Sequence, residues 1–439
     1  MSDSFGFFTL FCDPVFRGPV IGSLLMSLAT ALVGAIAFLG RKSLIGEALS
    51  HATFPGVVVG VILAEVIFPE QEAIALLVML FGAFATAFLG QLCIESILKI
   101  RQKADAALCY TLSSFLGVGV VFSSYLQQSH VAWYRKVQLF FYGQAATMTD
   151  LHIYMYAALS LGVCIAILLL YRSIQTSFFD PVFAESIGIR KKVVSSFVSA
   201  LLCVAIVIGI RTVGVVLMTG MLIAPAVAAR YVTSRFSMFL QLSAWIGMVS
   251  ALLGNYLASE MIMKGSQLVY LPTGPATVII ASGIALLALL LSPSRGSLVK
   301  GVRRWRFRRS CLIDNLLKAL WKHETVSLHQ IYGWNIANKW FLHRTLATLQ
   351  RGGWLQKTSK SIYGLTEDGR KRAAYMVRLH RLWELYLVQH LDHSLDHIHH
   401  SAEEMEHFIT PTIENKLTKL LLDPTQDPHN QPIPKKELL

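Results

Sequence analysis

Charge is scarce in this sequence. Only 15% of its 439 residues are Asp, Glu, Lys or Arg, against 54% hydrophobic, a balance far from that of soluble domains. Mean hydropathy is +0.53. Acidic residues are the scarcer sign, 26 against 39 basic, for a net charge of +13. In a membrane chain much of such an excess sits in loops on one side of the bilayer rather than in a nucleic-acid footprint. Cysteine is sparse as well. Cys12, Cys93, Cys109, Cys164, Cys203 and Cys311 are scattered with no C-x-x-C pair, which excludes a disulfide framework. No Lys or Arg precedes Arg17, so the basic n-region of a cleaved signal peptide is missing. No G-x-x-x-x-G-K-[ST] occurs. If ATP drives this chain, the nucleotide binds a different polypeptide.

What is abundant is long apolar runs, and they are confined to one part of the chain. They lie near 18–40, 54–68, 72–94, 106–126, 151–171, 194–210, 212–232, 237–259 and 275–292. A helix needs about 20 apolar residues to cross a bilayer. Two runs are short and the break at Arg211 is tight, so the expectation is eight or nine spans. After Ser292 polar and charged residues take over, and this shift is the strongest boundary in the chain. One set of loops carries Arg41, Lys42, Lys99, Arg101, Lys103, Arg172, Arg190, Lys191, Lys192, Arg230 and Arg235. It is richer in basic residues than the other set, so it is expected to be cytoplasmic. Nine spans then place everything after Ser292 in the cytoplasm as well.

Between the first and second apolar runs, Arg41 to Gly56 reads RKSLIGEALSHATFPG. Glu47 and His51 stand four apart and share a helical face. Two readings are open. The pair is a transition-metal waystation inside a transporter, because ionisable groups at membrane depth face a bundle interior or a water-filled path. Or it is a polar helix start at the interface. Carboxylate plus imidazole suits Mn²⁺, Fe²⁺ or Zn²⁺. Phe178 to Lys192 reads FFDPVFAESIGIRKK, with Asp180 and Pro181 as a helix start. That short amphipathic helix either docks a soluble partner or lies at the interface. Gly and Pro in TVGVVLMTGMLIAPAVAAR and LPTGPA mark breaks that only a protein interior or a cavity tolerates.

RKSLIGEALSHATFPGVVVG, FDPVFAESIGI, TVGVVLMTGMLIAPAVAARYVT and LPTGPATVIIAS resemble, in order, the permease family of manganese/zinc/iron ABC transporters. The resemblance spans roughly residues 18–293. It implies that Glu47 and His51 fall on the family's intramembrane Asp and His metal ligands, with Glu47 one methylene longer than the usual Asp. It implies that Asp180, Ala184 and Gly188 belong to the coupling helix against an ATP-binding subunit. It further implies two permease copies and an extracytoplasmic metal-binding protein.

The polar tail has its own pattern. Lys300 to Arg309, KGVRRWRFRR, reads as a basic anchor on anionic membrane lipids or as a nucleic-acid contact. Helices near 311–323, 327–333 and 337–351, a stop at Gly352-Gly353 and two short strands over 354–372 follow the order of a winged helix-turn-helix. Asn338, Lys339, His343 and Arg344 are its candidate base readers or phosphate contacts. Beyond it, His380 and Glu384 are four apart. Glu403, Glu406 and His407 share one helical face, with His399 one turn back. Such a cluster reads as a metal site or as a solvated charged face.

LATLQRGGWL, YGLTEDGRKRA, VRLHRLWELYL, HSAEEMEHF and DPHNQPIP resemble the iron- and manganese-dependent repressors (DtxR-like and MntR-like) from about Cys311 onward. The resemblance implies that Asp314, Glu403, Glu406 and His407 are ligands of one metal. His380, Glu384 and His399 then fall on positions shared with a neighbouring site. Glu403 stands where the iron type has Cys, so the set is closer to the manganese type. The chain ends after the dimerisation region, without the third domain of longer repressors.

The fold expected is mainly α: a polytopic membrane domain (1–293), a basic linker (294–310), a winged helix-turn-helix (311–375) and a helical metal-binding, homodimerising domain (376–439). The expected function is a permease subunit, not an enzyme, in the bacterial inner membrane. Its tail would repress uptake genes at operator DNA with Mn²⁺ or Fe²⁺, or Zn²⁺, as corepressor, after release by cleavage near 293–310. The alternative is a tail that senses metal and gates transport without meeting DNA.

Overall fold

The computed structural model describes the chain apart from residues 1–10, 12, 69–70, 101–102, 144, 146–147, 149, 265–271, 324, 335–337, 360, 392–401, 403–404 and 436–439. It divides into two compact units, Met1–Val299 and Lys300–Leu439.

Among the described residues, eight helices of the first unit are long and apolar enough to cross a membrane. They lie within α1 (Pro14–Leu39), α2 (Ser43–Ile67), α3 (Glu72–Lys99), α4 (Ala104–Ser129), α6 (Asp150–Phe179), α8 (Lys191–Val213), α10 (Phe236–Lys264) and α11 (Thr273–Leu291). Short helices α5 (Val131–Tyr142) and α7 (Pro181–Ser186) lie between them, and α9 (Met218–Val232) is a shorter apolar helix. α9 has 15 residues, about 22 Å of helix at 1.5 Å per residue. It still runs alongside α11 for its length. Gly220, near the start of α9, lies against Val278 of α11, while Gly274 abuts Thr212 and Val213 at the end of α8. Ser292 Oγ donates to Tyr231 O at 2.5 Å and Arg295 Nη1 to Arg230 O at 3.2 Å, where both helices end. The turn that shortens α9 is set by Gly214 at φ +87°. The expectation of eight or nine spans thus resolves into eight long helices and one short one.

Two basic loops share one end of this unit. Lys42, between α1 and α2, donates from Nζ to Ser195 O at 2.8 Å, Ser195 Oγ at 2.7 Å and Ser199 Oγ at 2.8 Å in the first turns of α8. α2 packs most closely on α3 through glycine. A Cβ on Gly56 would overlap Gly82 O and Thr86 Oγ1, and one on Gly60 would lie 2.7 Å from Met79 Cα. Small residues permit such backbone approach in membranes. Gly56→Val should therefore force α2 and α3 apart, and the yield of monodisperse protein in detergent should drop sharply. A wild-type yield and melting temperature would refute this packing.

The basic segment expected at 294–310 is helical from Ser297, and the second unit begins within that helix, at Lys300. α12 runs unbroken over Ser297–Trp321, because Leu, Arg and Lys are good helix formers and the stretch holds no proline. Its later turns bury Leu312, Leu316, Leu317 and Leu320 against Ile331, Leu342, Leu346, Leu349, Leu355 and Tyr363. Then come β1 (Thr325–Ser327), α13 (Leu328–Gly333), α14 (Lys339–Arg351), β2 (Leu355–Ser359) and β3 (Ile362–Leu365). The strands form an antiparallel sheet in the order β1-β3-β2, with Thr325 opposite Gly364 and Leu355 opposite Leu365. This is the winged helix-turn-helix that the sequence pattern predicts. A Ser327–Gln330 capping box starts α13, and Gly353 at φ +75° follows the end of α14. α15 (Glu367–Leu391) leads to a short 3-10 turn at Glu406–Phe408 and to α16 (Pro411–Leu420). Buried Arg378 of α15 gathers the C-terminal pieces. It donates to Glu414 at 3.2 Å, Thr418 Oγ1 at 3.1 Å and Pro434 O at 2.9 Å.

Candidate functional site

Among the described residues, both units bring chemically able side chains together. In the membrane unit Glu47 and His51 lie one turn apart on α2, both half-buried. The turn between them is tightly seated. Ala48, Leu49 and Ser50 are buried, and Ser50 Oγ donates to Gly46 O at 2.7 Å. Nδ1 of His51 is buried and has no hydrogen-bond partner among the described residues. A buried polar atom without a partner costs about 1–3 kcal/mol and points to a ligand. With a carboxylate one turn away on the same face, the donor pair is of a kind that suits a cation.

On α7, the Asp180 side chain accepts from Phe183 N at 2.9 Å and Pro181 holds the first helical position. Ala184 is buried, and Gly188 closes the turn at φ +84°. The outer face is apolar and open: Val182 is 80% exposed, Phe183 52% and Ile187 51%. In water or in contact with headgroups such a surface is costly, so it fits a docking helix.

The C-terminal unit brings together residues far apart in sequence. Asp314 of α12, His380 and Glu384 of α15, and Glu406 of the 3-10 turn are all buried. His380 sits at the centre, with Nδ1 2.6 Å from Glu406 Oε2 and Nε2 3.2 Å from Glu384 Oε1. His407 Nδ1 is 3.5 Å from Asp314 Oδ2 and its Nε2 is 3.8 Å from Glu406 Oε1. Two basic residues that the sequence reading did not single out hold this acidic cluster. Lys318 donates to both Glu406 oxygens, at 2.8 and 3.0 Å, and Arg372 to Asp314 at 3.3 Å. Burial works against charge on His380, but its hydrogen bonds to Glu384 and Glu406 outweigh it, and its pKa lies above the ordinary 6.5. Three carboxylates and two imidazoles form a donor set that fits a divalent transition metal.

One expectation needs amendment here. Glu406 and His407 lie on a 3-10 turn, not on a regular helical face. Its tighter three-residue pitch changes how they fan out. His399 and Glu403 lie outside the described residues. Asn338, Lys339, His343 and Arg344 are all exposed at the start and along one side of α14. Arg344 stacks 4.7 Å from the Trp340 ring centroid, which holds its guanidinium at the surface. A further group went unmarked: ligand atoms of Glu384, Asp427 and His429 all lie within 4.8 Å of one another. The sequence signal was the DPHN turn, noted as part of a motif but given no metal role.

Comparison with known proteins agrees with this division. Residues 13–292 match the ABC 3 transport family. Residues 366–435 match the domain described as iron dependent repressor, metal binding and dimerisation domain. The chain is similar to a probable metal transport system membrane protein of Chlamydia pneumoniae, 35% identical over 98% of each chain. It is also similar to the zinc transport system membrane protein TroC of Treponema pallidum, 33% identical over 70% of this chain and 97% of that one. Among solved structures, PsaBC from Streptococcus pneumoniae shares the fold with a TM-score of 0.56 at 21% identity, over 66% of this chain and 96% of the other.

Proposed function

Because the chain belongs to the ABC 3 transport family, with a repressor-type metal-binding domain at its C-terminal end, we infer that it imports a divalent transition metal and regulates that import. The observation that carries the transport half is the buried, unpartnered Nδ1 of His51 one turn from Glu47. Two ligands from one helix hold an ion weakly enough to release it, as a path requires. The basic loops at one end of the membrane unit support the reading that this end, and the tail after α11, face the cytoplasm of a bacterial inner membrane. ATP hydrolysis then belongs to a separate ATP-binding subunit docked at α7, with two permease copies and an extracytoplasmic metal-binding protein completing the importer. Replacing Val182 and Phe183 together by Asp should cost about 2 kcal/mol of docking, roughly 30-fold in affinity. Uptake should fall while membrane insertion stays normal. Full uptake in that variant would remove α7 from the coupling role.

For the tail, the reading is a metal-dependent repressor acting as a homodimer. A bound divalent ion would supply a positive centre that Asp314, His380, Glu406 and His407 share. Those residues come from α12, α15 and the 3-10 turn, so drawing them to one point fixes the winged helix relative to the dimerising half. The exposed Asn338, Lys339, His343 and Arg344 are then presented to the major groove, and metal affinity becomes DNA affinity by linkage. The carboxylate-rich donor set favours Mn²⁺ or Fe²⁺, and the zinc-transporting relative keeps Zn²⁺ in the comparison. Since helix begins at Ser297, cleavage that frees the tail would fall in the short stretch just before it.

The alternative, a sensor that gates transport without touching DNA, gains from α12, which carries both the basic segment and Asp314 on one unbroken helix. The deciding experiment is DNA binding by the full chain in nanodiscs to the promoter of its own operon. Mn²⁺, Fe²⁺ and Zn²⁺ are titrated at fixed ionic strength, because phosphate contacts are salt-dependent. Metal-dependent, sequence-specific binding supports the repressor. Metal binding without DNA binding supports the gate.

A further inference from the structure

The turn between α1 and α2 touches the chain on both sides of α7. It runs only from Gly40 to Lys42, with Arg41 in the left-handed region at φ +56°, and Lys42 N closes it by donating to Ala37 O at 2.8 Å. Ahead of α7, a Cβ on Gly40 would lie 3.0 Å from Phe178 Cζ, so that ring rests on the turn. Beyond α7, Lys42 Nζ donates to Ser195 O, Ser195 Oγ and Ser199 Oγ of α8, which occupies all its N–H groups. α7 itself is tied to the start of α8, since Ile189 N donates to Ala184 O at 2.9 Å.

We propose that Lys42 is a positioning residue for transport. It latches the start of α2, the helix of Glu47 and His51, onto α8, so that a shift of α7 reaches the metal pair. The proposal rests on the readings of α7 as the docking helix and of Glu47 and His51 as the path.

The link is stiff between the latch and the pair. α2 is continuous helix from Ser43 through His51. Its buried side packs closely: a Cβ on Gly46 would lie 3.2 Å from Leu222 Cδ1 of α9 and 4.0 Å from Leu202 Cδ1 of α8. Arg41 is not glycine, and a left-handed backbone at such a residue persists only where its surroundings hold it. Displacement of Lys42 therefore carries α2 with it instead of being absorbed in a slack loop.

The latch is also of a kind that can open and close. Its three acceptors are neutral oxygens, and Ser199 Oγ donates in turn to Ser195 O at 3.1 Å. Burial lowers the Lys42 pKa from its ordinary 10.5, and the charge of Glu95 on α3 opposes that fall. Lys42 is only half-buried and lies between two spans. Exchanging protein oxygens for water at such a place changes the free energy little. An apolar plug of the same size would resist opening far more.

The test measures uptake of radiolabelled Mn²⁺ or Zn²⁺ together with ATP hydrolysis, on the full chain reconstituted in proteoliposomes with its ATP-binding subunit. In Lys42→Met the ions moved per ATP should fall about tenfold, the factor that one hydrogen bond to a charged group carries, while hydrolysis stays near wild type. Lys42→Arg keeps donors on a charged side chain and should restore most of the ratio. A lysine that only supports the fold would lower uptake and hydrolysis together, and an unchanged ratio overturns the latch. Ser195→Ala combined with Ser199→Ala removes two acceptors and leaves Lys42 in place. It should lower the ratio in the same direction, and a wild-type ratio there also overturns the latch. Glu47→Ala and the Asp double variant at Val182 and Phe183 separate the readings. If they lose uptake while Lys42→Met keeps the wild-type ratio, the importer reading stands and the latch is overturned. If they transport like wild type, the path and docking readings fall and the latch falls with them.

Discussion

Alanine at Glu47 or at His51 abolishes metal uptake while the protein still inserts in normal amount. The loss should exceed about 100-fold, since even outer-shell partners of a bound metal are worth about 10–100-fold. The fold should survive because neither side chain is a packing element. Both are half-buried, and the seating of α2 comes from Ala48, Leu49, Ser50 and Ala52 beside them. Removing His51 also removes a buried polar atom that no described residue satisfies, so the variant should lose little stability. Glu47→Asp keeps the oxygen and shortens its reach, and should retain partial uptake. The measurement is radiometal uptake in cells or proteoliposomes containing the ATP-binding subunit, with immunoblots for insertion. Wild-type rates in both alanine variants would end the assignment of these residues to the path.

Glu406→Ala removes the metal response of DNA binding. Glu406 is 1% exposed and joins Lys318, His380 and, at 3.8 Å, His407. Its loss strands a buried imidazole and a largely buried ammonium. Breaking a buried pair this way costs about 3–5 kcal/mol, so the C-terminal unit should also melt earlier. Glu406→Gln keeps the volume and separates the two effects: the fold should recover while the metal response stays lost. Operator binding by fluorescence anisotropy, with and without Mn²⁺, reads this directly, and unchanged isotherms would refute the ligand role. A pH dependence follows. His380 has a folded pKa raised above its ordinary 6.5. In metal-free protein its ion pairs are fully formed below about pH 6.5 and are lost as pH rises through the raised value. Metal needs the neutral ring, so metal affinity should climb over that same window. In Glu406→Gln the window should move down.

Much of this was open to a reader of the sequence, for a physical reason. Crossing a bilayer demands a long apolar run wherever it occurs, so composition alone marked the membrane region and its end at Ser292. An i, i+4 spacing needs only a helix to bring Glu47 and His51 to one face. Helix periodicity and a Gly-Gly stop likewise outlined the winged helix, with α14 ending at Arg351 as expected. Each of these signals is local.

What the tertiary structure decided is non-local. β1 is three residues long and exists only because it pairs with β3, more than thirty positions on, and so short a strand has no signature of its own. From Ser297 onward the stretch 294–310 is helix, because α12 continues through it into the buried leucines of the winged helix. Lys318 and Arg372 were unremarkable basic residues until folding set them on Glu406 and Asp314. Asp427 and His429 were a terminal turn until it folded back on α15 beside Glu384. By itself the sequence determined which segments enter the membrane and which residue types could hold a metal. Which of those residues meet, and which cations contest them, was decided only by packing, because such encounters depend on the closure of long loops and not on the residues alongside.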